Sequence, residues 1–174
     1  MPDDVLLNKV AAIERAVARV REEYGGEDTN LFDNLTRQDA ILLNLQRACE
    51  SAIDLAMHLV RIERLGVPQE SRDAFGLLAG GGVVDADLAE RLQKMVGFRN
   101  IAVHDYERLN LQIVRAIVTE RLHDFEQFCE RALQRLQIAA LQPSLRPRHV
   151  HPSHAAAADH PAANGTSAPV PNDD

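Results

Sequence analysis

Apolar residues recur along this chain at alternating steps of four and three, with no strand-like alternation of any length and no internal repeat. That period places them on one face of an α-helix, whereas a half-buried strand needs a period of two. Leu6, Val10, Ile13, Val17, Val20 and Tyr24 define a first helix, stopped by Gly25-Gly26. After a polar loop, Thr36 is placed to cap a long second helix, with Asp39 as the acidic half of a loose capping box. Leu42, Leu45, Cys49, Ala52, Ala56 and Leu59 line its core face, and Gly66 with Pro68 ends it. Ser71 to Ala79 reads as a short third helix before Gly80-Gly81-Gly82. Asp85 caps a fourth, with its stripe at Leu88, Leu92, Met95 and Val96. A fifth starts near Asn110 and buries Val114, Val118, Leu122, Phe125, Cys129, Ala132 and Leu136. Four main helices plus a short one, joined by short connections, predict an all-α, antiparallel up-and-down helical bundle over residues 1–140.

From about Leu141 the pattern stops. Pro143, Pro147, Pro152, Pro161, Pro169 and Pro171 alternate with Ala, His, Ser, Gly and Asn, so residues 141–174 read as a disordered Pro/Ala/His-rich tail. His149, His151, His154 and His160 lie in it without cysteine or rigid spacing, which makes a solvated tail the better reading than a metal site. No metal and no cofactor are expected anywhere in the chain.

Composition narrows the function. A length of 174 residues suits one domain with a tail, and 45% hydrophobic residues suffice for a core. The net charge of −7 excludes a protein that coats nucleic acid by bulk electrostatics. Aromatic residues at 4% argue against a base-stacking platform. Contact with RNA would be local, through a few arginines, and DNA is not expected as a partner. Cys49 and Cys129 fall on or beside apolar stripes and read as core residues of a reducing cytosol. The acidic start Met1-Pro2-Asp3-Asp4 is no secretory signal, and no apolar run approaches the roughly 18 residues of a membrane span. A cytoplasmic protein with no membrane association is the expectation.

The candidate chemistry is concentrated in Arg99-Asn100-Ile101-Ala102-Val103-His104-Asp105-Tyr106. A permanent cation, an amide, an imidazole and a phenol sit within two helical turns. An arginine neutralises a phosphate in bidentate fashion, and a histidine moves protons near neutral pH. Continuing the stripe from Leu92 and Val96 reaches Arg99 and then Val103, so the arginine interrupts an apolar seam. Asn100 and His104, four apart, share one side of the helix. Arg99 and His104 diverge by about 140° on an ideal helix. The arginine's length bridges part of that angle, and a symmetric dimer joining two copies of the motif is a second route. The plain structural reading, cations complementing a helix end, also fits a bare Arg and His.

The spacing Arg-Asn-x3-His-x-Tyr resembles the signature of the HEPN superfamily in its HepT-like toxin branch. Leu45-Gln46-Arg47, Ile53-Asp54 and His58-Leu59-Val60 resemble it less specifically, and the likeness covers approximately residues 5–138. It implies a homodimer that cleaves RNA (tRNA or mRNA) without metal. Arg99 and His104 then take the catalytic positions and Asn100 the polar position beside them. Tyr106 matches the tyrosine that a cognate nucleotidyltransferase antitoxin adenylylates. A binding module with Arg99 as a phosphate clamp, or a structural dimerisation bundle, are the rival readings.

Weaker signals surround this motif. Asn44, Arg47, Ser51, Asp54, His58 and Arg61 form a polar stripe, ordinarily a solvated face. The resemblance implies that part of it flanks the RNA, making Arg47 and Asp54 candidate supporting residues. Asp54 and His58 read as a surface ion pair, and His123 as structural. Gly80-Gly81-Gly82 lacks the Lys-Ser/Thr of a phosphate loop.

Overall fold

The apolar stripes all form helices in the computed structural model, which describes residues 2–104 and 109–141, with side chains from 4–103 and 109–141. Among the described residues there are seven helices: α1 (Pro2–Tyr24), α2 (Asp28–Phe32), α3 (Leu35–Ile62), α4 (Ser71–Gly80), α5 (Ala86–His104), α6 (Leu111–Glu120) and α7 (Leu122–Leu141). The secondary structure among the described residues is all helical, but the count of four main helices and one short one needs correction. The polar loop after α1 contains the extra turn α2. The expected fifth helix is two, because the chain turns at Arg121, whose N–H still bonds Ile117 O at 2.9 Å while Asp124 N–H bonds Arg121 O at 3.0 Å. The expected tail lies outside the described residues, apart from Leu141, which closes α7.

An antiparallel pair, α1 with α3, and the packing of α5 on α7 organise the bundle. Lys9 near the start of α1 meets Asp54 far along α3, and Arg37 at the start of α3 donates to Glu23 O at the end of α1. Arg91 on α5 bonds Asp124 and Gln127 at the start of α7 at 2.8 and 3.3 Å. The expected stripes of α1 and α3 are buried throughout, as are Leu88, Leu92, Met95 and Val96 on α5. Phe75 of α4 meets Phe128 of α7 edge-on, with ring centroids 5.6 Å apart, an arrangement worth about 0.5–1.5 kcal/mol beyond area burial. Cys49 and Cys129 are free and buried, and burial pushes both thiols up to about 12. No helix among the described residues is long and apolar enough to cross a membrane.

Helix ends follow local chemistry, with one reassignment. Gly25 and Gly26 adopt φ of 59° and 78° after α1, where a Cβ would be strained. Asp85 Oδ1 accepts from Leu88 N–H at 2.8 Å, the expected cap of α5. Thr36, expected to cap the long helix, lies inside α3. Asn34 holds the cap position, with extended backbone and its side chain accepting from Arg37 N–H at 3.1 Å. The side-chain oxygen of Asn34 satisfies a first-turn donor without the hydroxyl, so the helix starts two residues earlier than the threonine implies. At the other end α3 stops at Ile62, before Gly66 and Pro68.

Asn34→Ala should therefore destabilise the fold by about 1 kcal/mol, while Thr36→Ala should cost markedly less. Urea titration of both variants reads the difference.

Candidate active site

The C-terminal third of α5 delivers Arg99 to the side of α3. Phe98 and Ala102 are the buried neighbours that hold this stretch down, at 7% and 8% exposure. Val103 is 39% exposed, so the seam expected to run through Arg99 to Val103 shifts by one residue. The buried face of α5 rotates slowly against α3 because an undistorted helix does not repeat in whole turns of seven. Arg99 thus lies at the border of the core, half-buried, rather than within it.

At that border Arg99 meets a partner from another element. Its Nη2 donates to Glu50 Oε1 at 3.3 Å, and its Nη1 donates to Asn100 Oδ1 at 3.2 Å. Glu50 Oε1 also accepts from Gln46 Nε2 at 3.2 Å, one turn earlier on α3. The carboxylate therefore sits between two donors. Arg99 Nε is buried and has no partner among the described residues. Beneath this group lies the Cys49 thiol, whose elevation by burial is opposed by the Arg99 charge. A guanidinium has five donors in a rigid fork, so one bond to Glu50 and one to Asn100 orient it while leaving N–H groups for a ligand.

The other expected residues separate into three groups. His104 ends α5 one turn beyond Asn100, but only its backbone is described. Asp105 and Tyr106 lie outside the described residues. Arg47 is exposed on α3, one turn before Ser51 and beside Gln46. Asp54 is exposed and paired with Lys9 of α1. His58, expected at the surface, is buried at 7% exposure, with Arg61 Nη2 donating to its Nδ1 at 3.2 Å. Asn44, from the same polar stripe, is also buried and donates to Ala40 O at 2.8 Å. His123 is exposed, 3.5 Å from Glu126.

Sequence reasoning missed Glu50 and Gln46. Their signal was faint: an acid and an amide four apart, adjoining the apolar position Cys49. Nothing in one helix reports which partner another helix brings to it.

The chain matches the description "Ribonuclease HepT-like" over residues 13–132. It is 48% identical over 128 residues to the mRNA nuclease HepT of Shewanella oneidensis, an alignment covering 74% of this chain and 96% of that protein. A crystal structure of a toxin–antitoxin with AMP-PNP superposes with a TM-score of 0.72 at 46% identity, covering 75% of this chain and 98% of that one. The tri-AMPylated HEPN toxin of S. oneidensis in complex with an MNT antitoxin gives a TM-score of 0.71 at 46% identity, with the same coverage. With the likeness spanning nearly the whole length of these relatives, this chain belongs to the HepT-like ribonuclease family.

Proposed function

We propose that this protein is the toxin ribonuclease of a toxin–antitoxin pair, cleaving RNA without a divalent metal and silenced by adenylylation of Tyr106. The observation that carries the reading is the oriented Arg99 guanidinium, held at the edge of the core by Glu50 and Asn100 one turn before His104. Related proteins support it: the S. oneidensis relative is an mRNA nuclease, and an HEPN toxin from that organism is tri-AMPylated in complex with an MNT antitoxin. A nucleotidyltransferase antitoxin is accordingly the expected partner, and RNA the substrate.

The chemistry uses a nucleophile that RNA carries itself. The 2′-oxygen bonds to phosphorus as the bond from phosphorus to the 5′-oxygen breaks. His104 takes the proton from the 2′-hydroxyl or supplies one to the departing 5′-oxygen. Arg99 stabilises the charge that develops on the phosphoryl oxygens, and Asn100 keeps the guanidinium turned toward them. The products are a 2′,3′-cyclic phosphate and a 5′-hydroxyl. Two copies of the motif meet in a homodimer through the face that carries Arg99. Leu43 and Val103, 45% and 39% exposed, are its apolar contacts. Adenylylation of Tyr106 adds bulk and negative charge two residues from His104, where it competes with substrate phosphate for Arg99.

Four outcomes test this. Wild-type protein should cleave tRNA or mRNA in EDTA, leaving cyclic-phosphate ends on gels. Loss should be about 10²–10⁴-fold in His104→Ala and about 10²–10³-fold in Arg99→Ala, with the dimer retained in sedimentation. Full activity in either variant sinks the assignment. Glu50→Ala, which frees Arg99, should lower kcat by about tenfold, and Glu50→Gln should recover much of that because an acceptor oxygen remains. Co-expression with an active partner transferase should raise the protein's mass by adenylate units, and Tyr106→Phe should abolish the increase.

A further inference from the structure

A cavity of about 600 Å³ opens between α1, the C-terminal half of α3 and the loop after it. It lies on the same face of α3 as Glu50, because Asp54, Met57 and Arg61 follow Glu50 at steps of four, three and four. Along the helix axis Arg61 is about 16 Å from Glu50, and hence from the neighbourhood of Arg99. The charges lining the cavity are unbalanced. Lys9, Arg61 and Arg64 face it, and its carboxylate, Asp54, is already taken by Lys9. Arg61 and Arg64 are exposed and meet no carboxylate among the described residues. Arg61 is nevertheless oriented, since its Nη2 donates to the buried His58.

A second observation concerns the backbone at Arg64. Leu65 N–H bonds Val60 O at 3.0 Å, which closes α3 with the loop that normally places glycine in the left-handed region. Here that position belongs to Arg64, with φ of 56°, the one non-glycine residue with positive φ among those described. A Cβ is disfavoured in that conformation, and strain of this kind collects where a side chain has a task. The residue holding it is a cation lining the cavity. Met57 and Val67, 41% and 83% exposed, add apolar surface beside it.

We propose that this cavity binds the RNA strand a few nucleotides from the bond cut at Arg99. Arg61 and Arg64 hold its phosphates, and Met57 and Val67 pack against a base. The inference rests on the ribonuclease reading and adds to it a site that grips substrate away from the reacting phosphate. In a protein of net charge −7, such a local pair of unneutralised guanidiniums supplies the attraction that the whole surface lacks.

The test is a binding titration of the full-length chain with a single-stranded 2′-O-methyl oligoribonucleotide, which lacks the attacking hydroxyl and stays intact. Affinity is measured across a salt series for wild type, Arg61→Ala, Arg64→Gly and a control, Arg131→Ala, on exposed α7 surface. Arg61→Ala and Arg64→Gly should each weaken binding several-fold and reduce the log–log salt slope by about 0.7, the value for one phosphate contact to a single strand. Arg131→Ala should leave the slope unchanged. Arg64→Gly should at the same time raise the melting temperature, because glycine accepts the left-handed conformation without a Cβ. Weaker binding by a more stable protein is the signature expected. Wild-type slopes in both Arg61→Ala and Arg64→Gly, or an equal fall in Arg131→Ala, would overturn the site while RNA cleavage by the wild type left the ribonuclease reading standing. A wild type that neither cleaves RNA nor binds the oligonucleotide would overturn both.

Discussion

The burial of α3 along most of its length is the constraint on which the remaining geometry depends. Ala48, Cys49, Ala52 and Ala56 are small and buried, while Leu45, Leu55 and Leu59 supply the volume between neighbours. Small side chains let adjacent helices approach closely, and packing at interior density then leaves little freedom to slide. Once α5 is seated beside α3, Arg99 has to emerge next to Glu50. A guanidinium placed by helix packing keeps its orientation through the helices themselves.

Charge is handled in two different ways elsewhere. At the periphery, Arg115 bridges Asp28 beside Tyr24, and its hydrogen bond holds the Asp28 carboxyl below the usual range. Such exposed pairs contribute little to stability because water and salt screen them. Between α5 and α7 the Asp124 carboxylate is buried, answered by Arg91 Nε at 2.8 Å. Removing one member of a buried pair leaves the other uncompensated, so that join tolerates change poorly. Arg99 falls between these regimes. It is oriented by Glu50 and Asn100, yet its Nε is buried without a partner among the described residues, so its hydrogen-bonding capacity is not used up by the protein.

A large part of the fold was legible in the sequence because helix burial has a period. The stripes of α1 and α3, and the cap at Asp85, are each fixed by residues close in the chain. The misreadings share one cause. Nothing breaks the pattern at Arg121, where neither glycine nor proline stands, so the division of α6 from α7 is invisible locally. His58 and Asn44 belong to a polar stripe that reads as a solvated face, but the fold buries both. Thr36 has the chemistry of a cap and the wrong position by two residues, because Asn34 already answers the first turn.

By itself the sequence determined that the described stretch is helical, where its apolar faces lie, and that Arg99, Asn100, His104 and Tyr106 stand close together inside the stretch that matches the HepT-like family. These are properties of one helix or of short spacing, and the period of 3.6 expresses them directly. Only the tertiary structure decided that Glu50 and Gln46 orient Arg99, that Lys9 neutralises Asp54, and that Arg64 takes a strained turn on the wall of a basic cavity. Contacts between distant residues depend on how whole faces pack, and no local pattern carries that information.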